Sequence, residues 1–100
     1  MNQVATTDLY EAAYYLLNGC KIEEIVGKEI NDRIVCSIIL TGDNIVQHQL
    51  TYLNGDAEAN IIRLRRMVGQ MTAWVNQSRK KFKNQFRQQE ETFNRGGGAL

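Results

Sequence analysis

The last third of the chain contains no residue that would stop an α-helix. The sequence has no proline, and between Asn60 and about Phe93 only Gly69 weakens a helix, at a cost of roughly 1 kcal/mol relative to alanine. About 33 helical residues span roughly 50 Å, whereas a compact domain of this size has a radius of gyration of only about 13 Å. The predicted helix is therefore longer than its own domain. It either bends near Gly69 or Asn76, or its end projects from the domain and pairs with another subunit.

The predicted helix is amphipathic, with apolar residues on somewhat under half of its circumference and Ile62 as the main exception. Every Lys and Arg of the segment falls on the complementary arc: Arg63, Arg65, Arg66, Arg79, Lys80, Lys81, Lys83, Arg87 and Arg95. One apolar stripe steps by three and four residues, as a coiled-coil seam does, and it predicts a homodimer. The residues predicted for this interface are Leu64, Val68, Met71, Trp74, Val75 and Phe82.

Charge is strongly segregated along the chain. Residues 1–59 hold three basic and nine acidic residues, a net charge of −6, and residues 60–100 hold nine basic and two acidic, a net charge of +7. The overall net charge of +1 hides this dipole. Charge segregation of this kind gives information about binding partners and not about the fold. It predicts an anionic partner for the C-terminal segment, either on another molecule or on the acidic half of this protein.

Local patterns before the long helix predict an α+β fold: a helix, a three-stranded antiparallel sheet and the long C-terminal amphipathic helix. The start, Met1–Thr6, is predicted to be loose. The first helix is predicted at Asp8–Leu17, where Asp8 and Glu11 form a capping box and Asn18-Gly19 ends the helix. The predicted strands are Cys20–Lys28, Arg33–Thr41 and Ile45–Leu53. Together these elements form one domain over residues 7–93, followed by a flexible Gly-rich tail over residues 94–100.

Arg33–Thr41 is the clearest strand, with apolar residues on both of its faces. This pattern predicts a central strand that is covered on both sides or that contacts a second subunit. Cys20 and Cys36 each lie within a predicted element, and without CxxC spacing they are expected to be buried, reduced thiols. No basic-then-apolar signal opens the chain, and no apolar run approaches the ~20 residues of a membrane span. A cytoplasmic location is therefore expected.

Residues that could support catalysis are few. His48 is the only histidine, and one histidine with two cysteines at unrelated spacing does not predict a metal site. Glu23 and Glu24 are expected on an exposed strand edge, where they would discourage edge-to-edge pairing. The three glycines near the C-terminus precede no helix, so they do not predict a phosphate-binding loop. The expectation is a protein that is not an enzyme, with no cofactor, no metal and no small-molecule substrate.

The segment Thr7–Cys20, with the sequence TDLYEAAYYLLNGC, resembles a family of short uncharacterised domains of phages, prophages and scattered prokaryotic genomes. That family has a leading helix of the pattern DL..AAyLl..G, short strands, a Tyr-Asn turn and a closing helix. Tyr52-Leu53-Asn54-Gly55 would match the turn, and Asn60–Val75 the start of the closing helix. The middle strand departs from the family pattern, since Cys36 and Ile38 stand where aromatics are usual. The resemblance implies a small accessory protein of mobile-element type.

The basic helix is the candidate site. Five cations fall within Arg79–Arg87, and no acidic residue occurs between Asn60 and Gln89. A helix that is charged only for solubility usually mixes both signs, so the pattern favours contacts with nucleic-acid phosphates, in DNA or RNA. An alternative is a protein-interaction module, such as a homodimeric adaptor or a phage inhibitor of a host factor, whose helix binds an acidic protein. Attachment to a membrane surface also fits the pattern but is less favoured, because the apolar stripe is needed to cover the sheet.

Overall fold

Within residues 2–98, three helices and a three-stranded antiparallel sheet confirm the predicted α+β fold. The computed structural model describes these residues, and for residues 86–98 it describes the backbone alone. In chain order the elements are β1 (Gln3–Thr6), α1 (Leu9–Leu17), β2 (Lys21–Ile30), β3 (Arg33–Thr41), α2 (Ile45–Leu53) and α3 (Ile61–Gly98).

The central strand of the sheet is β3, which pairs antiparallel with β1 on one side and β2 on the other. β2 and β3 form a hairpin whose turn residues, Asn31 and Asp32, have φ angles of 50° and 64°. Positive φ at both positions of a two-residue turn matches the twist of the strands it joins. A register shift between Ile22 and Glu24 bulges the edge strand β2. Glu23 and Glu24 are exposed there, on the predicted edge.

The third strand of the sheet differs from the prediction. Ile45–Leu53, predicted as a strand, forms helix α2, and Gln3–Thr6, predicted as part of a loose start, forms strand β1. Short runs that mix apolar and polar residues fit both the strand period and the helix period. As a helix, this segment buries Ile45 completely. The second edge of β3 is paired by β1 instead, where Val4 lies opposite Leu40 and is itself buried.

The hydrophobic core lies between one face of the sheet and the three helices. Its largest fully buried side chains are Tyr15, Ile38, Leu40, Ile45 and Met71. Ala12 and Ala13 of α1 are also completely buried, and their small side chains let the neighbouring elements approach closely. Full burial of an aliphatic or methionine side chain contributes roughly 1.5–3 kcal/mol. Met71 and Val75, both buried, therefore make α3 a part of the core.

The opposite face of the sheet is not covered by the described part of the chain. Val35 and Ile39 of β3 are half-buried there, and on β2 Val26 is 39% and Ile30 is 45% exposed. The expectation that β3 is covered on both sides is therefore wrong for a single chain. Contact of this face with a second subunit stays a prediction.

Helix α3 is long and uninterrupted. Its backbone passes through Gly69 and Asn76 without a break and is helical as far as Gly98, beyond the end predicted at Phe93. Its 38 residues span about 57 Å, and the longest dimension of the molecule is 60 Å. The radius of gyration is 17.1 Å, against about 13 Å for a compact domain of this size. The end of α3 therefore projects from the domain, as in the second alternative, while its pairing with another subunit stays a prediction.

Cys20 and Cys36 are buried free thiols, as predicted. Burial raises the pKa of the Cys20 thiol above its ordinary value. The thiol therefore stays protonated, the form that is a poor nucleophile and a poor metal ligand.

Candidate functional site

Asn60 determines where α3 begins, and so which side chains face outward. Its side-chain Oδ1 accepts a hydrogen bond from the backbone N–H of Arg63 at 3.1 Å, and its carbonyl accepts one from Leu64 at 2.9 Å. This is an N-cap arrangement, which satisfies donors that the first helical turn leaves free. In the helix that follows, Leu64 is half-buried, whereas Arg63 and Arg65 are exposed.

The cations of α3 form an exposed basic surface, hereafter the basic face. Seven of the eight predicted phosphate-binding residues are exposed: Arg63, Arg65, Arg66, Arg79, Lys80, Lys81 and Lys83. The eighth, Arg87, lies outside the described side chains, as does Arg95. The seven form one cluster at the start of α3 and a second cluster in the middle of the helix.

Helical geometry aligns the two clusters. Arg63 and Lys81 are eighteen residues apart, and so are Arg65 and Lys83. Eighteen residues make five turns, so each pair lies along one line of the helix surface, about 27 Å apart. On duplex DNA this distance corresponds to about eight base pairs. A single straight element therefore presents cations at a separation that spans most of a turn of DNA.

The basic face has no compensating charge of its own. No acidic residue occurs between Asn60 and Gln89, so no intrahelical pair with Glu or Asp is possible over that length. Within residues 2–85, no side-chain hydrogen bond is donated by a Lys or Arg. The cations are thus hydrated and available to an external anion.

The stripe predicted as a dimer interface is used largely within one chain. Met71 and Val75 are buried in the core, and Leu64, Val68 and Phe82 are half-buried. Trp74 differs from these five, because 41% of its surface is exposed. Met71 and Val75 belong to the core and Phe82 packs against it, where α3 contacts α1 and the sheet. The homodimer itself stays a prediction.

A surface groove lies between α1 and the segment that connects α2 to α3. Its volume is about 370 Å³, and it is open to solvent. The lining residues come from α1, from the end of α2, from the connecting segment and from the start of α3: Tyr10, Tyr14, Tyr52, Ala57, Glu58, Ala59 and Leu64. We call this feature the tyrosine groove. The sequence analysis missed it; the available signal was Tyr10 and Tyr14 at a spacing of four residues, which places them on one side of a helix.

Two carboxylates hold the aromatic residues around this groove. The hydroxyl of Tyr52 donates to Oδ2 of Asp8 at 3.0 Å, while Oδ1 of Asp8 accepts from the backbone N–H of Tyr10 at 2.9 Å. The hydroxyl of Tyr15 donates to Oε2 of Glu11 at 2.7 Å. Burial, and then the bond to Asp8, raises the pKa of Tyr52 to about 12. The pKa of Tyr15 is also raised by burial and by its bond to Glu11, so both phenols remain hydrogen-bond donors at neutral pH.

The described residues give little support to catalysis by His48, to metal binding or to insertion in a membrane. His48 is half-buried on α2, with its ring edge-on to Tyr14 at a centroid distance of 6.1 Å. No three His, Cys, Asp or Glu side chains within the described part of the chain converge as metal ligands would. Among the same residues, no helix has the length and apolar character needed to cross a membrane.

Comparison with known proteins identifies no relative whose function could be considered for this chain. The chain matches no protein-family model, and neither the curated proteins nor the solved structures include one with significant similarity to it. The likeness to short phage and prokaryotic domains therefore stays a prediction.

Proposed function

We propose that this protein is a small, non-enzymatic nucleic-acid-binding accessory protein whose basic face contacts phosphates. The observation that carries the proposal is the exposure of seven Lys and Arg residues on one helix that has no acidic residue over the same length. Cations of this kind displace the counterions of nucleic acid, and that release drives binding without reading sequence. The resemblance to mobile-element domains, and a cytoplasmic location, belong to the same proposal.

Packing supports this role for the basic face. Because Met71 and Val75 are buried in the core, the first half of α3 is held against the domain. Its cations are therefore presented in a fixed arrangement, which reduces the ordering cost of binding. Arg79, Lys80 and Lys81 follow the buried turn directly and are all exposed. They are the expected centre of the phosphate contacts.

The test is a fluorescence titration of the full chain with labelled single- and double-stranded DNA and RNA at several salt concentrations. The logarithm of the association constant should fall linearly with the logarithm of salt, by about 0.9 per phosphate contact on duplex DNA. A variant carrying Arg79→Glu, Lys80→Glu and Lys81→Glu should lose binding while keeping its circular dichroism spectrum.

The matched control reverses three exposed cations outside α3, by Lys21→Glu, Lys28→Glu and Arg33→Glu. It changes net charge by the same amount, so binding should persist if the basic face is the site. Equal loss in both variants would mean that only net charge matters. Absence of binding by the unmodified chain at low salt would reject the proposal.

A second candidate function is a protein-interaction module that uses the same helix, as a homodimeric adaptor or an inhibitor of a host factor. The observation that favours it is the 41% exposure of Trp74 beside the basic face, because tryptophan is enriched at the centres of protein interfaces. Sedimentation velocity of the chain and of a Trp74→Ala variant tests self-association through this residue.

A further inference from the structure

The tyrosine groove is the part of the molecule that the proposed function does not use. It lies at the N-terminal end of α3, near Leu64, whereas the second cluster of the basic face begins at Arg79. Those two positions are about 22 Å apart along the helix. The volume of the groove, about 370 Å³, falls within the range of sites that bind small groups or side chains.

Three of the seven residues that line the groove are tyrosines. Tyr14 and Tyr52 have ring centroids 5.9 Å apart and planes inclined by 37°. Tyr10 lies one turn before Tyr14 on α1 and is 58% exposed, so it forms an open side of the groove. The faces of tyrosine rings carry negative electrostatic potential and attract a cation placed within about 6 Å.

The one charged side chain among the residues that line the groove is negative. It is Glu58, and the carboxylates of Asp8 and Glu11 accept the hydroxyl hydrogen bonds of Tyr52 and Tyr15. Arg63 and Arg65 flank Leu64 in sequence, but neither lines the groove. The electrostatics therefore favour a positively charged ligand and disfavour phosphate.

Two exposed apolar residues are close in sequence to residues that line the groove. Leu53, next to Tyr52, is 66% exposed, and Ile61, at the start of α3 and three residues before Leu64, is 71% exposed. Exposed apolar residues beside a charged pocket offer contacts to the flanking residues of a polypeptide. A free inorganic cation would gain nothing from them.

We propose that the tyrosine groove binds a lysine or arginine side chain presented by a basic, partly apolar segment of a partner polypeptide. The alkylammonium or guanidinium group lies between Tyr10, Tyr14 and Tyr52 and faces the carboxylate of Glu58. The aliphatic residues beside that cation pack on Leu53 and Ile61. None of the cations of the basic face lines this site, so peptide binding can be measured independently of nucleic-acid binding.

The test is chemical-shift mapping by nuclear magnetic resonance with the isotope-labelled full chain. The probe is an eight-residue peptide with blocked ends, built from alternating lysine and leucine, and the control peptide has every lysine acetylated. The lysine peptide should cause saturable shifts at Tyr10, Tyr14, Tyr52 and Glu58. The acetylated peptide should bind at least about tenfold more weakly, because it keeps length and apolar contacts but loses the charge.

Two exposed positions probe the site without disturbing the core. Tyr10→Leu should lower the affinity for the lysine peptide by between about 3-fold and 30-fold, the range expected for the loss of a cation–aromatic contact. Glu58→Gln should also lower this affinity. Glu24→Gln, an exposed carboxylate on β2, is the matched control and should leave affinity unchanged. Shifts that map elsewhere, equal binding of the acetylated peptide or insensitivity to Tyr10→Leu would each overturn the proposal. The Tyr10→Leu variant should still bind nucleic acid, so a loss of peptide binding can be distinguished from a failure of the proposed function.

Discussion

The ring of Phe82 on α3 lies directly over Gly27 on β2, in the space that a side chain at position 27 would occupy. A Cβ placed on Gly27 would overlap the Cγ, Cδ2 and Cε2 atoms of that ring. The contact of α3 with the sheet at Phe82 therefore requires glycine at position 27.

Gly27→Val should destabilise the protein by about 1–3 kcal/mol, because the Phe82 ring must move to make room. Urea unfolding followed by circular dichroism measures the change. The matched control is Gly69→Ala on α3, where a Cβ meets no atom within 4 Å. That substitution should stabilise the protein by roughly 0.5–1 kcal/mol through helix propensity. Equal effects of the two substitutions would contradict the packing described here.

Asp8 links the start of α1 to the end of α2. Its carboxylate caps α1 through the N–H of Tyr10 and accepts the hydroxyl of Tyr52. Asp8→Ala should therefore cost about 1–3 kcal/mol, from the lost cap and one lost hydrogen bond. Tyr52→Phe removes only the second of these and should cost about 0.5–1.5 kcal/mol. Asp43→Ala, an exposed control in the turn before α2, should stay within about 0.5 kcal/mol.

The raised pKa of Tyr52 predicts that the folded protein loses stability at alkaline pH. This pKa is about 12 in the folded chain, above the ordinary value of 10.0, because of burial and the bond to Asp8. The stabilisation linked to this shift is fully present below pH 10 and is lost as the pH rises through 12. The unfolding free energy of the wild type, relative to Tyr52→Phe, should therefore fall across this window. A difference that stays constant from pH 8 to pH 11.5 would refute the expectation.

The alignment of the two clusters predicts a dependence on duplex length. Arg63 and Lys81 are about 27 Å apart along one line of α3, so a six-base-pair duplex reaches one cluster and a fourteen-base-pair duplex reaches both. The salt slope should be steeper on the longer duplex, by about one for each added contact. A variant with Arg63→Gln, Arg65→Gln and Arg66→Gln should lose that difference. Identical slopes on both duplexes with the unmodified chain would indicate that only one cluster binds.

Local signals predict two of the three described helices and two of the three described strands. The cap at Asp8 and the stop at Asn18-Gly19 are each determined by neighbours in the sequence. The structure confirms α1, β2, β3 and α3, with ends that differ by five residues or fewer. The long helix is predicted best because many turns repeat the same pattern.

Elements that depend on distant partners are predicted poorly. Gln3–Thr6 is too short to show a strand pattern by itself, and its pairing with β3 is fixed only when the sheet forms. The tyrosine groove has the same origin, since Tyr14, Tyr52 and Glu58 come together from three separate segments. The strand predicted at Ile45–Leu53 failed because nine residues of mixed polarity do not distinguish the two periods.

Since α3 both completes the core through Met71 and Val75 and carries the cations, ligand binding and folding are thermodynamically linked. Any molecule that binds this helix only in its packed form adds its binding free energy to the stability of the whole domain. A ligand on Arg79 would thus slow hydrogen exchange in strands that it never touches. The helix cannot detach to adapt to a ligand without exposing Met71 and Val75, so the protein is expected to bind as a preformed rigid body.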